Sequence, residues 1–485
     1  MFKIRAYNKL ISILLLFCMT LSIPCFSNVS SNNAWIRYEK ELYGESLYAM
    51  ELNSGLVLFE KNPDKKMFIA SLTKIMTVVV ALDNVSNLDE KLQFSYNAVN
   101  RDIDRNSTTI GASPGDVLSV MECLYCILLP SANDAANALA EYVAGNINDF
   151  TLLMNEKAEW LGMKNTHFSN PTGLHNDNNY STARDMALLL NYAMSKKEFR
   201  QITKTTSFKH SPIRKYKDPD NSNNTVLNTN SALLAGTSSY YKYTIGGKTG
   251  YTKEAGYTLA ACAAKDGLEM LVVDLGCKKN EQRFDDFKKI CNFYFDNYKS
   301  YNIKELEPRF RDGYTDMSAE GVTLVRALRI TVPDNASITI PKTVDIKDVD
   351  INISYIVEID RDDNAIGTVK CYYDNESVGY CSLLGLPPDK VEDIHTAYLN
   401  ISQQETDNNS RISNRNNRYI NTDKPIYIDQ NGVLTISRPV ATFLSILILL
   451  IIILLFILFF RSKYFIIIKD SIGHRVNIFK IKKRK

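Results

Sequence analysis

Residues 71–84 read SLTKIMTVVVALDN, an apolar-rich run that predicts a helix. Ser71 opens that helix and Lys74 follows one turn on, so both side chains share a face. A helix N-terminus carries unpaired backbone N–H groups and partial positive charge. Such a setting suits a serine whose attack creates an oxyanion. A lysine three residues on can take the serine proton if burial or a nearby cation depresses its pKa. Taken alone, Ser71 caps a helix and Lys74 is solvated. Two further short motifs change the reading. Ser131-Ala132-Asn133 follows Pro130 and lies between two predicted helices, Asp116–Leu129 and Asp134–Val143. A loop there can push a hydroxyl and an amide into a cleft, although either residue also serves as an ordinary N-cap. Lys248-Thr249-Gly250 follows Gly246-Gly247 on a predicted strand. Its lysine and hydroxyl can bind a carboxylate, and glycine lets a substrate backbone approach closely.

In this order the three motifs resemble the S-x-x-K, S-x-N and K-T-G set of the penicillin-recognising serine enzymes. The stretches LGMKNTHFSNPTGLH (161–175), YSTARDMALL (180–189) and the run from Lys248 to Tyr257 narrow the resemblance to the low-molecular-weight D-alanyl-D-alanine carboxypeptidases. It covers about residues 35–400 and implies a mixed α/β (α+β) fold. That fold is a β-lactamase/transpeptidase-like antiparallel sheet flanked by helices, then a small β-sandwich. The implied roles are an acylated nucleophile at Ser71, a general base at Lys74 and a proton relay at Ser131. Asn133 would bond the substrate peptide, and Lys248 and Thr249 the terminal carboxylate beside Gly250. Backbone N–H groups of Ser71 and Tyr251 would form the oxyanion hole. Arg283 is either a further carboxylate ligand or a solvated arginine. Ile245 and Thr229 depart from the family pattern, which has an acid and an arginine there. These departures bear on substrate affinity rather than on the chemistry.

The rest of the chain fits an exported enzyme. Its 485 residues, 45% hydrophobic, suffice for two or three domains. The net charge is only +3, and the basic residues crowd the two ends. Lys3, Arg5 and Lys9 precede an apolar stretch and the small residues Cys25 and Ser27, the layout of a signal peptide over residues 1–27. The uncharged run within 439–460 is long enough to cross about 30 Å of hydrocarbon. Arg461, Lys463 and the terminal KKRK place the tail 461–485 in the cytoplasm and the body outside. Between these ends we expect a catalytic domain at 28–300, a β-rich domain at 301–400 and a polar linker at 401–438. The β-rich expectation rests on the alternating stretches RALRITV, ASITI, INISYIVEI and GTVKCYYD. In the catalytic part, hairpins are expected around Asn53-Ser54-Gly55 and Asp266-Gly267, helices over 186–195 and 281–298, and irregular structure over 205–235.

The five histidines have no metal-ligand spacing, and His167 and His175 read as structural. The Cys123/Cys126 pair lies in an apolar helix and reads as core, while Cys371 and Cys381 flank a predicted hairpin. No phosphate-cradling glycine motif appears, so neither cofactor nor metal is expected, and the basic ends do not indicate nucleic acid. The expected substrate is a peptidoglycan pentapeptide ending in D-Ala-D-Ala, with β-lactams as covalent inhibitors. A β-lactamase, an endopeptidase of D-alanyl crosslinks and a non-enzymatic wall scaffold remain rivals. Ser131-Ala132-Asn133 lacks the S-D-N aspartate, which counts against the first, and the intact Ser71, Lys74 and Lys248 count against the last.

Overall fold

The computed structural model describes residues 35–100, 103, 107–214, 224–312, 329–355, 365–386, 426–428 and 434–436. The segments read as signal peptide, membrane span and basic tail lie outside the described residues. Among the described residues no helix is long and apolar enough to cross a membrane.

The catalytic part is built on a five-stranded antiparallel sheet. Its strands are β1 (Ser46–Glu51), β2 (Val57–Lys61), β3 (Thr244–Thr252), β4 (Gly256–Lys265) and β5 (Leu268–Cys277), in the order β2-β1-β5-β4-β3. The β4–β5 turn carries Asp266 and Gly267, both at positive φ, as a tight two-residue hairpin requires. Strands β4 and β5 are mostly apolar in their middle stretches because both faces are covered. Leu271, Val273 and Leu275 enter one core, while Met270 and Val272 enter the other. This two-residue alternation is the pleat of a sheet buried on both sides.

Helices fill both layers. On one side lie α1 (Thr73–Asn84), α2 (Val120–Leu128), α3 (Asn133–Ala144), α4 (Ile147–Trp160), α5 (Ala183–Ser195) and α6 (Lys197–Lys204). On the other lies α7 (Asn280–Asn297), whose Phe284, Phe287 and Ile290 pack with Leu47, Ala49 and Val272. The helix expected over Asp116–Leu129 is shorter. Val117–Ser119 forms a strand paired with Lys91–Gln93, and the helix begins at Val120. Ser119 and Glu122 form a reciprocal capping box there, which fixes the start. Both α4 and α6 fall in stretches not read as helical.

Beyond α7, β6 (Tyr298–Asn302) pairs with β8 (Ser337–Pro341). The strands β7 (Arg329–Thr331), β9 (Asp350–Tyr355), β10 (Ala365–Tyr373) and β11 (Glu376–Leu386) form an antiparallel sheet in the order β7-β11-β10-β9. Ile338, Val369, Cys371 and Leu383 share a separate core. Ser54 Oγ, in the β1–β2 turn, donates to Thr339 Oγ1 at 3.0 Å and ties this part to the catalytic sheet. All seven described cysteines are free thiols, Cys371 and Cys381 among them. Within the stretch read as a linker, Ile426–Ile428 pairs with Leu434–Ile436.

Candidate active site

Ser71 sits in a single 3-10 turn, Ala70–Leu72, that runs straight into α1. Ala70 is held at φ +49° and Ser131 at φ +73°. Left-handed backbone at a residue other than glycine costs of order 1–3 kcal/mol and persists only where its surroundings impose it. Ala70 directly precedes the nucleophile candidate, and Ser131 directly precedes the Ala132-Asn133 start of α3.

The surroundings that impose it come from distant parts of the chain. A methyl group on Gly250 would come within 2.5 Å of Thr258 Oγ1, 3.0 Å of Ser71 N and 3.1 Å of Ile69 O. A methyl on Gly173 would come within 2.0 Å of Ala70 O. The turn is therefore clamped backbone to backbone between strand β3 and the loop after Asn170. Thr258 Oγ1 donates to Ile69 O at 3.2 Å from the neighbouring strand β4. Asn170 Oδ1 fixes the loop by accepting from Thr172 N, Thr172 Oγ1 and Gly173 N. Thr77 Oγ1 ties the loop to α1 through Pro171 O at 2.7 Å.

Lys74 is fully buried. Its Nζ lies 2.6 Å from Asn133 Oδ1, 2.5 Å from Thr172 O and 3.2 Å from Ser71 Oγ. Burial, and then the charge of Lys248, push its pKa well below the ordinary lysine range, with Asp134 opposing. A neutral amine has two hydrogens and one lone pair. Asn133 Oδ1 and Thr172 O can only accept, so they take the two hydrogens. The lone pair is left for the hydroxyl of Ser71.

Asn133 opens α3, and its N–H donates to Thr108 O at 2.8 Å. Asp134 accepts from Ile110 N, Gly111 N and Ala112 N, each at 3.1 Å, and so wraps residues 110–112 around the start of α3. Ser131 Oγ is buried and has no hydrogen-bond partner among the described residues.

Lys248 is buried on β3, and its Nζ donates to Thr249 O at 2.8 Å. Burial, then the charge of Arg283, push its pKa down to about 7. Thr249 Oγ1 lies 2.8 Å from Thr229 Oγ1. Tyr251 is exposed, and its ring lies 4.4 Å from that of Tyr257. Arg283, for which solvation was one reading, is buried on α7 instead. It donates to Gly250 O at 2.8 Å and Thr258 O at 2.7 Å and so braces β3 against β4. His167 pairs through Nδ1 with Asn178 O, and His175 packs edge-on against Phe68.

The structure thus joins Ser71, Lys74 and Asn133 by direct contacts and sets Gly250 against Ser71. Lys248 acts on Lys74 through its charge. Sequence reading missed Thr172, Asn170, Gly173, Asp134 and Thr258. The N-P-T-G run at 170–173 was the available signal for the loop. Backbone carbonyls such as Thr172 O leave no signature in a side-chain pattern. Among the described residues, Asp274, Cys277 and Asp286 form one compact group of metal-ligating types. Asp286 accepts from Tyr43 N and Gly44 N, and burial holds the carboxyls of Asp274 and Asp286 above the ordinary carboxylate range.

A family model described as D-alanyl-D-alanine carboxypeptidase, peptidase S11, matches residues 33–279. The D-alanyl-D-alanine endopeptidase of Pseudomonas aeruginosa is 34% identical over 259 residues, 52% of this chain and 77% of that protein. The chain belongs to the peptidase S11 family. The D-alanyl-D-alanine carboxypeptidase DacF of Bacillus subtilis is 32% identical over 259 residues, which are 53% of this chain and 64% of DacF. The match therefore spans just under two thirds of DacF's length. Penicillin binding protein 5 from Haemophilus influenzae has the same fold, with a TM-score of 0.56 at 24% identity, covering 72% of this chain and 98% of that one.

Proposed function

We propose that this chain is a serine-type D-alanyl-D-alanine carboxypeptidase acting on peptidoglycan stem peptides. The observation that carries the reading is the Lys74 amine, with two carbonyl acceptors on one side and Ser71 Oγ 3.2 Å away on the other. Ser71 Oγ attacks the carbonyl carbon of the penultimate D-alanine as its proton passes to neutral Lys74. The amide C–N bond breaks, and Ser131 relays the proton from Lys74 to the departing amine. Water then attacks the ester as its proton passes to Lys74, the acyl C–Oγ bond breaks, and Lys74 returns the proton to Ser71 Oγ. Asn133 bonds the peptide. Lys248 and Thr249 hold the terminal carboxylate, and the N–H groups of Ser71 and Tyr251 stabilise the oxyanion, a contribution worth about 3–4 kcal/mol of barrier per donor. β-Lactams acylate the same serine.

The proposal extends to the ends of the chain. Residues 1–27 direct export, and 439–460 anchor the protein with its catalytic domain, 28–300, outside the cell. The 301–400 part forms a β-sandwich that holds the site away from the membrane, and no cofactor or metal takes part.

The test follows D-alanine release from an acyl-L-Lys-D-Ala-D-Ala peptide by the protein and by Ser71→Ala. Release by the parent alone is expected. No release, with Ser71 still labelled by penicillin, would favour the endopeptidase named among the relatives. Crosslinked muropeptides would then be the substrate to try.

The two buried lysines also set the pH dependence. Lys74 works as the neutral amine, so activity is lost as pH falls through its depressed pKa. Lys248 holds the carboxylate as the cation, so activity is lost as pH rises through its own, about 7 in the free enzyme. A bell-shaped kcat/KM is expected, its alkaline limb starting well below the ordinary lysine pKa of about 10.4. A kcat/KM that climbs steadily to pH 10 would exclude this assignment for Lys248.

A further inference from the structure

Thr229 and Thr249, 20 residues apart in the chain, meet through their hydroxyls at 2.8 Å. Thr229 is exposed, whereas Thr249 is buried on β3. Thr229 Oγ1 also lies 3.2 Å from Leu129 O, on the segment that leads into Ser131. A hydroxyl has one proton, so Thr229 donates either to Leu129 O or to Thr249, never fully to both.

The two choices have opposite consequences for a ligand. If Thr229 donates to Leu129 O, then Thr249 must donate to Thr229. The buried hydroxyl would then offer only lone pairs to an incoming carboxylate, which repels it. If Thr229 donates to Thr249, the Thr249 proton is free for the carboxylate. Leu129 O is already satisfied in this second state, because Thr229 N donates to it at 3.0 Å. Its bond to the hydroxyl is the longer of the two. The second state therefore forfeits little, and an anion selects it. Serial hydroxyl donation onto a charged acceptor also polarises each bond in the chain.

We infer that Thr229 is a positioning residue for the carboxylate subsite: it donates to Thr249 so that Thr249 donates to the substrate's terminal carboxylate. Thr229 is short and neutral and brings no charge of its own. Its contribution is the direction of one proton. The inference rests on the carboxypeptidase reading of the same site.

The carboxylate is remote from the bond that breaks, so it is held alike in the ground and transition states. Losing such a contact raises KM and leaves kcat alone. Thr229→Val keeps the shape and removes the hydroxyl. It should raise KM for acyl-L-Lys-D-Ala-D-Ala roughly two- to fivefold, the size of one neutral hydrogen bond at a partly exposed site. kcat should change less than twofold, and Thr229→Ser should restore KM. In the Thr249→Val background, adding Thr229→Val should change nothing further, since its partner is already gone. Should Thr229→Val fail to fold, Thr229→Ala is read in the same cycle. A KM that is unchanged or lowered, a loss confined to kcat, or additivity with Thr249→Val would each overturn the inference. Absence of D-alanine release by the parent would instead sink the carboxypeptidase reading.

Discussion

Replacing Lys74 by methionine is expected to slow acylation of Ser71 by roughly 10²–10⁴-fold, the range a positioned general base supplies. Methionine matches the length of the buried stem and suits the surroundings, but it has no lone pair basic enough to take a proton. Lys74→Arg separates the base from a mere positive charge. Arginine keeps the cation and its donors, yet it stays protonated in proteins. If Lys74 acts as the neutral amine that the Asn133 and Thr172 acceptors leave facing Ser71, both variants should fail to a similar degree. If Lys74 served only as a fixed cation, the arginine variant would keep most of the rate. The measurement is the second-order rate of covalent labelling by a fluorescent penicillin, with thermal melting as the check on folding. Labelling of Lys74→Met within threefold of the parent rate would remove Lys74 from the proton path.

The candidate side chains could be picked out in the sequence because each lies in a short motif with its own local logic. Ser71 and Lys74 are one helical turn apart, and Lys248 and Thr249 follow a glycine pair on a strand. The sheet and its apolar strands were also legible, since Asp266-Gly267 marks the hairpin and the runs on either side are continuous. What sequence could not give was the backbone between these points. The left-handed Ala70 and the 3-10 turn at 70–72 depend on Gly173 and Gly250, far along the chain, pressing on that turn. The burial of Arg283 follows from two carbonyls on adjacent strands, Gly250 O and Thr258 O, which no motif announces. The strand at Val117–Ser119 was hidden by apolar density that continues into α2. The capping pair Ser119 and Glu122 was there to be read and would have corrected the boundary.

Gly173→Ala is expected to lower the acylation rate about 100-fold in a protein that still folds. Two effects combine at this position. Gly173 has φ +78°, where a side chain costs of order 1–2 kcal/mol. The new methyl would also come within 2.0 Å of Ala70 O, 2.5 Å of Ala70 C and 3.0 Å of Ser71 N. All three are backbone atoms, so no rotamer change can relieve the contact, and the Ala70–Ser71 turn itself must move. Lys74 is tied to this loop through Thr172 O but also to Asn133 Oδ1 outside it, so it cannot simply follow the turn. A misplacement of about 1 Å between reacting groups costs on the order of 100-fold in rate. Gly236→Ala separates the two effects. Gly236 has φ +90° but nothing within 4 Å of a new methyl, so it suffers the strain without the displacement. Both variants should melt a few degrees lower, as a loss of this size implies. Only Gly173→Ala should lose acylation. Equal penicillin labelling by the two variants would mean that the turn tolerates displacement, and that the clamp between Gly173 and Gly250 serves stability rather than the placement of Ser71.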